Sequence, residues 1–219
     1  YDMLLIETEH VMHDEQNLTN FIVTARDNGL CPLVTVQTTD RAFVSRMLDA
    51  GALGIGLCHA ETPDQVAQLV RWMKYPPVGE RALAFGPNTE YRTGDAAVYC
   101  EQANTATLLM LKIESRKGLE NAEAMMANEW VDAIVFGPGD LAADMGLHGQ
   151  WEHRDVLTAM ERVIELALAR GIAVEGLSTL GGPDYERQRE RGIQIFGPTR
   201  MSEYDMLRDA ANRYMAPFR

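Results

Sequence analysis

Cysteine is scarce in this chain. Cys31, Cys58 and Cys100 are odd in number, widely separated and free of any CxxC spacing. That pattern excludes a disulfide framework or a cysteine-built zinc site, and suits small packed thiols in a reducing, cytoplasmic setting. Positive charge is short as well: Lys and Arg number 20 against 32 Asp and Glu, a formal net charge of −12. A nucleic-acid partner needs a basic face, so none is expected. Local positive charge or a bound cation beside an anionic substrate stays open. No apolar run reaches the ~18 residues of a membrane span, so no membrane partner is expected. No stretch reads as a signal peptide. Ser/Pro-rich linkers are missing too, which leaves one domain over residues 1–219. The chain opens at Tyr1 inside an apolar run, so a preceding segment is expected.

Strands and helices alternate through the rest. "DMLLIET", "PLVTVQ", "ALGIGLCH", "TATLLMLKIES", "VDAIVFG", "IAVEGL" and "IQIFG" read as strands. Between them lie amphipathic stretches with recognisable ends. One stops at Gly29, one is capped by Thr39 or Asp40 and closes at Gly51, and one carries Pro63 in its first turn. The stretch 76–94, rich in Gly and Pro, is expected as a loop, with a short strand admitted at "RALAF". Residues 138–153 are expected as a second loop. Strand–helix alternation implies parallel pairing. Seven clear strands, eight with "RALAF", favour an α/β fold of the (β/α)8 TIM-barrel type over an open doubly wound sheet.

In a barrel, chemistry sits at the carboxyl ends of the strands. Residues expected there include Glu7, Glu9, His10, Thr35, Gln37, Cys58, His59, Lys112, Glu114, Asp140, Glu175, Ser178, Thr199 and Arg200. Glu114 and Asp140 leave neighbouring strands. Two carboxylates with water suit a hard cation such as Mg2+ or Mn2+, or are simply two surface acids. His10 stands between Glu7 and Glu9, company that orients and strengthens an imidazole base. His13, His59, His148 and His153 are expected as loop or surface residues. In "LKIES", alternation puts Lys112 and Glu114 on one face of a core strand, where charge is costly without compensation.

"LLIETEH", "RMLDAGALGIGL", "RWMKYPPVGER", "LKIES" and "VFGPGDLAADMG", in that order and spacing, resemble the metal-dependent (class II) 2-keto-3-deoxy-sugar-acid aldolases. These belong to the phosphoenolpyruvate/pyruvate barrel superfamily and include 4-hydroxy-2-oxoheptanedioate aldolase. The resemblance implies a (β/α)8 barrel whose first strand and helix precede Tyr1. It implies a carbon–carbon lyase releasing pyruvate or an analogue plus an aldehyde. A divalent cation (Mg2+, Mn2+ or Co2+) is then held by Glu114 and Asp140. Gly139 and Asp140 match the loop that binds the keto-acid carboxylate, His10 the water-assisted base, and Glu7 the aspartate that orients it. Asp49 matches a further acidic position, or is a helix-end contact. A homo-oligomer is implied, a hexamer in the family, packed through terminal helices; Met206, Leu207, Ala210, Ala211 and Met215 form a stripe suited to this or to the chain's own body.

Two departures from the resemblance stand out. Thr35 occupies the place of an arginine that contacts the substrate keto oxygen, and Lys112 occupies the place of a glutamine. Lys112 either takes over part of the lost charge or only balances the acidic cluster. Schiff-base chemistry ranks last, because a nearby carboxylate raises a lysine pKa. Ser178 and the 76–94 loop are expected to select substrate, with Arg81, Arg92 and Arg200 as candidates for its distal anion. The alternatives are decarboxylation, isomerisation or condensation of an enolisable acid on the same site, or a non-catalytic keto-acid binder.

Overall fold

A computed structural model describes residues 1–37, 40–92, 94–177, 182–197 and 203–218. Six strands pair in parallel, strictly in sequence order: β1 (Met3–Ile6), β2 (Cys31–Val36), β3 (Gly54–Leu57), β4 (Leu108–Ile113), β5 (Ala133–Phe136) and β6 (Ala173–Val174). Beyond β6, among the described residues, a parallel bridge joins Glu175 to Ile195. A doubly wound sheet must reverse its strand order once. This one never does, so right-handed crossovers put the connecting helices on one face.

Alternation along each strand divides its side chains between two cores. Outward, Val34, Val36, Ile55, Leu57, Leu109, Leu111, Ile113, Ile134 and Phe136 meet the helices. Leu18 and Ile22 come from α1 (Glu15–Asp27), and Val44 and Met47 from α2 (Arg41–Asp49). Val66 and Leu69 come from α3 (Pro63–Met73). Further along, Ala122 comes from α5 (Arg116–Met125) and Val163 from α7 (Arg154–Arg170). On the other face Leu33, Met110, Ala133 and Val135 form a smaller core with Met3, Ala173 and Ile195. Contributors from both margins of the sheet meet there because the sheet curls. Gly54 and Gly56 make the curl possible: a Cβ would stand 3.0 Å from Leu33 Cγ at the first and 3.1 Å from Met110 Cε at the second.

Several sequence expectations need correction. "RALAF" is no strand, because Arg81 turns inward, 2.7 Å from Asp49 and over the Tyr75 ring. "IQIFG" provides only the bridge at Ile195. The expected loop 138–153 begins with a helix, α6 (Pro138–Asp144), that has Pro at its start and buries Leu141 and Ala142. The expected cap is found at Asp40 and Pro63 opens α3 behind a Thr62 cap, while Thr39 lies outside the described residues. Among the described residues the other α-helices are α4 (Ala96–Ala106), α8 (Tyr185–Arg191) and α9 (Glu203–Met215). Met206, Leu207 and Met215 of α9 are exposed rather than packed on the chain's own body. Among the described residues no helix is long and apolar enough to cross a membrane.

One buried cation pins α3 to the start of β4. Lys74 is 1% exposed, and its ammonium donates to the carbonyls of Asn104 and Thr107, each at 2.6 Å. It also lies over the Trp130 ring. Truncation strands two buried acceptors. Lys74→Ala is expected to lower unfolding free energy by about 2–4 kcal/mol, read from urea denaturation; a loss under about 0.5 kcal/mol would refute this role.

Candidate active site

The parity that sends Leu33, Met110 and Ala133 inward continues to the carboxyl ends of the strands, where the residue types turn polar. Thr35, Lys112 and Glu114 follow it, and Glu7, Cys58, Gly137 and Glu175 stand at the same parity just past the strands. Lys112 and Glu114 do share a face: the ammonium lies 2.8 Å from Glu114 Oε2 and 3.7 Å from Glu9 Oε2. The Glu114 side chain is fully buried. Gly137 is needed at its side, since a Cβ there would come within 2.8 Å of Glu114 Cβ. From β3 the backbone N–H of His59 donates to Glu114 Oε1 at 2.7 Å, and the His59 ring places Nε2 3.2 Å from Glu9 Oε1.

Glu7 is held from several directions. The N–H groups of Glu9 and His10 donate to its two oxygens, at 2.5 and 2.9 Å, and the Thr35 hydroxyl donates at 3.2 Å. Burial pushes its carboxyl pKa up, yet these hydrogen bonds outweigh it and hold the pKa below the usual value. Thr35 is thereby committed to its own surroundings, also receiving the Thr8 N–H at 2.8 Å. Burial alone would lower the Lys112 pKa; the hydrogen bond and charge of Glu114, with that of Glu9, win and raise it. Lys112 is therefore a firm cation, unlike a Schiff-base lysine. Burial, reinforced by Glu9, pushes the Cys58 thiol up to about 12.

The sequence candidates are distributed as follows. Glu7, Thr35, Lys112 and Glu114 gather in this cluster with Glu9. The exposed His10 ring lies 3.8 Å from Glu9 Oε2 and meets Glu7 through its backbone. Gly139 and Asp140 are exposed in the first turn of α6, close after Gly137. Ser178, Thr199 and Arg200 lie outside the described residues. Arg81 is buried against Asp49, so neither reaches for substrate; Asp49 is the helix-end contact that was one of its two readings. Arg92 is exposed beside Glu90. An open cleft of about 440 Å³ adjoins the cluster, lined by Glu9, His10, Met12, Gln37, Asp40 and Phe43 among others.

The donors suit a divalent cation. Glu9, His59 and Glu114 each offer an atom within 4.8 Å of the others, and Glu9 Oε2 is buried without a hydrogen-bond partner among the described residues. Two carboxylates, Glu9 and Glu114, here face one ammonium, leaving an excess of negative charge that favours a bound cation. Glu7, Glu9 and Cys58 form a second such group, but a thiol is a soft donor ill matched to a hard ion. Sequence reasoning placed His59 in a loop, correctly, but missed its acidic company. Only the fold could show it, because Glu9, His59 and Glu114 come from three strand ends.

Charged groups collected at the carboxyl ends of a one-way parallel sheet define the class, an α/β enzyme acting on a small polar substrate. The chain belongs to the HpcH/HpaI aldolase/citrate lyase family, whose pattern matches residues 1–195. It is 31% identical over 176 residues to the hydroxypyruvate/pyruvate aldolase of Roseobacter denitrificans, covering 78% of this chain and 69% of that protein. It is 32% identical over 171 residues to the 5-keto-4-deoxy-D-glucarate aldolase of Shigella sonnei, covering 78% and 66%. The crystal structure of an HpcH/HpaI aldolase from Desulfitobacterium hafniense superposes with a TM-score of 0.88 at 27% identity, over 99% of this chain and 83% of that one.

Glu175 yields a pH prediction. Burial pushes its carboxyl up to about 7, against the opposing Phe136 N–H and Lys112 charge. The folded state therefore holds a proton that the unfolded state has released, from about pH 4.5 to about 7. Stability falls as pH rises through that window, and the loss is complete above it. Glu175→Gln is expected to match the parent near pH 5 and to exceed it by roughly 1–3 kcal/mol at pH 8.5 in chemical denaturation. Equal stability at both pH values would contradict this.

Proposed function

We propose that the chain cleaves a 2-keto-hydroxy acid to pyruvate or a close analogue plus an aldehyde, with a divalent cation (Mg2+, Mn2+ or Co2+) at Glu114 and Asp140. The observation that carries it is Glu114, fully buried at a strand end beside a lysine and a second carboxylate, an arrangement too costly to keep for packing alone. The two relatives named above, both called aldolases, support the same reaction class. The cation supplies Lewis acidity when bound, drawing electron density toward the keto oxygen. Gly139 and Asp140 begin a helix whose first N–H groups have no side-chain cap, which suits them to a substrate carboxylate. His10 exchanges the hydroxyl proton through water, with Glu7 fixing its backbone. Lys112 adds a fixed positive charge near the developing enolate oxygen. Ser178 completes the substrate side of this reading, and Thr35 enters it only by holding Glu7.

The one-way strand order and the second core support closure into a full (β/α)8 barrel; the exposed Leu4 and Leu5 of β1 offer the margin a further strand would take. The exposed stripe of α9 supports a homo-oligomer, a hexamer on the family pattern. Three free cysteines support a cytoplasmic setting. One observation favours a different reaction on an enolisable acid, whether condensation, decarboxylation or isomerisation: the Thr35 hydroxyl serves Glu7 and Thr8 and cannot replace an arginine.

Pyruvate incubated with the protein in D2O is expected to lose its methyl proton signal by NMR only when Mg2+, Mn2+ or Co2+ is added. Glu114→Gln and Asp140→Asn should slow that exchange by at least about 100-fold. Absence of exchange with every metal would move the protein off pyruvate. Lys112→Gln at saturating metal should lower kcat by about 10–100-fold; unchanged turnover would remove Lys112 from catalysis.

A further inference from the structure

Glu9 and Glu114 each divide their two oxygens between different neighbours. The Oε2 atoms face Lys112, at 3.7 and 2.8 Å. The Oε1 atoms face His59: Glu9 Oε1 lies 3.2 Å from Nε2, and Glu114 Oε1 lies 3.9 Å from Nδ1. Two carboxylate oxygens therefore face the His59 side, away from the ammonium, where Glu114 Oε1 also accepts the His59 N–H and Glu9 Oε1 the Gln37 amide at 3.5 Å. One donor atom from each of Glu9, His59 and Glu114 lies within 4.8 Å of the other two, a little wider than the roughly 3–4 Å between ligands bonded at about 2.0–2.2 Å to one ion. Glu9 is nine-tenths buried, and its Oε2 has no hydrogen-bond partner among the described residues.

His59 is also fixed in an unusual backbone position. Its φ is +45°, a left-handed conformation that side-chain-bearing residues seldom adopt. It is held there by its own N–H to Glu114 and by the Gln65 side chain, which donates to its carbonyl at 3.3 Å. Neighbouring Cys58 and Ala60 are tied to Val36 and Lys112 through backbone hydrogen bonds. The ring is half exposed, so an ion can reach it from solvent.

We propose that His59 contributes one ring nitrogen as a ligand to the cation at Glu114, with Glu9 as a further carboxylate donor. This deepens the reading above and rests on it. Imidazole binds Mn2+, Co2+ and Zn2+ far better than Mg2+, so His59 biases the site toward the transition ions.

The test is pulsed EPR on the full chain loaded with Mn2+. Wild-type protein should show modulation from one directly bound nitrogen, altered when histidine is supplied with 15N. His59→Asn, chosen because asparagine tolerates the left-handed backbone, should keep its melting temperature and bound Mn2+ but lose the nitrogen signal. Its preference for Co2+ over Mg2+, measured by competition, should shrink by roughly tenfold. Bound Mn2+ with no nitrogen modulation in wild type, or with the same modulation in His59→Asn, overturns the ligand assignment while leaving the cation reading intact. Failure of wild-type protein to bind Mn2+ at all overturns both.

Discussion

A lysine ammonium held 2.8 Å from a fully buried carboxylate is the constraint around which this structure is arranged. Lys112 and Glu114 lie two residues apart, so the pleat forces both to the same side of the sheet. That side is the apolar one below them, where Met110 closes the inner core. An isolated charge there would cost several kcal/mol. The pair survives because the interior ends at this level and other polar groups, Glu9, His59 and Glu175, surround it from the adjoining strand ends. Once the pair is in place, Gly137 has to be glycine, and the loop after β3 has to send an N–H toward Glu114.

Much of this could be read from the sequence because period-two alternation transmits position faithfully. The same parity that fixes Val34, Ile55 and Leu111 against the helices fixes Thr35, Gly56 and Lys112 on the opposite face. One helix start was legible for a similar local reason: Asp40 accepts hydrogen bonds from the N–H groups two and three residues ahead, as Thr62 and Asp95 do in their own helices. Where the determinants were tertiary, local patterns misled. "RALAF" has strand-like composition, but the inward turn of Arg81 toward Asp49 decides its course. Residues 138–144 look like a Pro/Gly loop, yet Leu141 and Ala142 find a place in the core and make a helix worthwhile.

The site divides along the same line. Glu7, His10, Thr35, Lys112 and Glu114 were recognisable because each lies within or just after a strand whose direction the sequence reveals. Glu9 and His59 were also placed at strand ends, but their meeting with Glu114 was not foreseen, because it joins three separate strand ends. His59 lies in the left-handed region, which reverses the side chain expected from a continuing strand. Glu175 was visible as a strand-end acid, but its proton affinity was not. That depends on how many protein atoms surround the carboxyl, a property of the assembled mouth rather than of the neighbours in sequence.

Placement of positive charge distinguishes this site from the pattern it resembles. An arginine on β2 would project a planar fork toward a substrate oxygen; Thr35 instead ties Glu7 to Thr8 and carries no charge. The cation of this chain stands on β4, next to the carboxylates themselves. From there it screens Glu9 and Glu114 from each other, keeping two acids close enough to share a third partner. It does so as a point charge whose raised pKa keeps it protonated. The arrangement also separates functions in space: one oxygen of each carboxylate is spent on Lys112, and the other remains directed at His59. A guanidinium beside Glu114 would fork across both of its oxygens and close that opening. The compact ammonium engages only Oε2 and leaves Oε1 to the His59 side, which gives a physical reason for lysine, rather than arginine, at position 112.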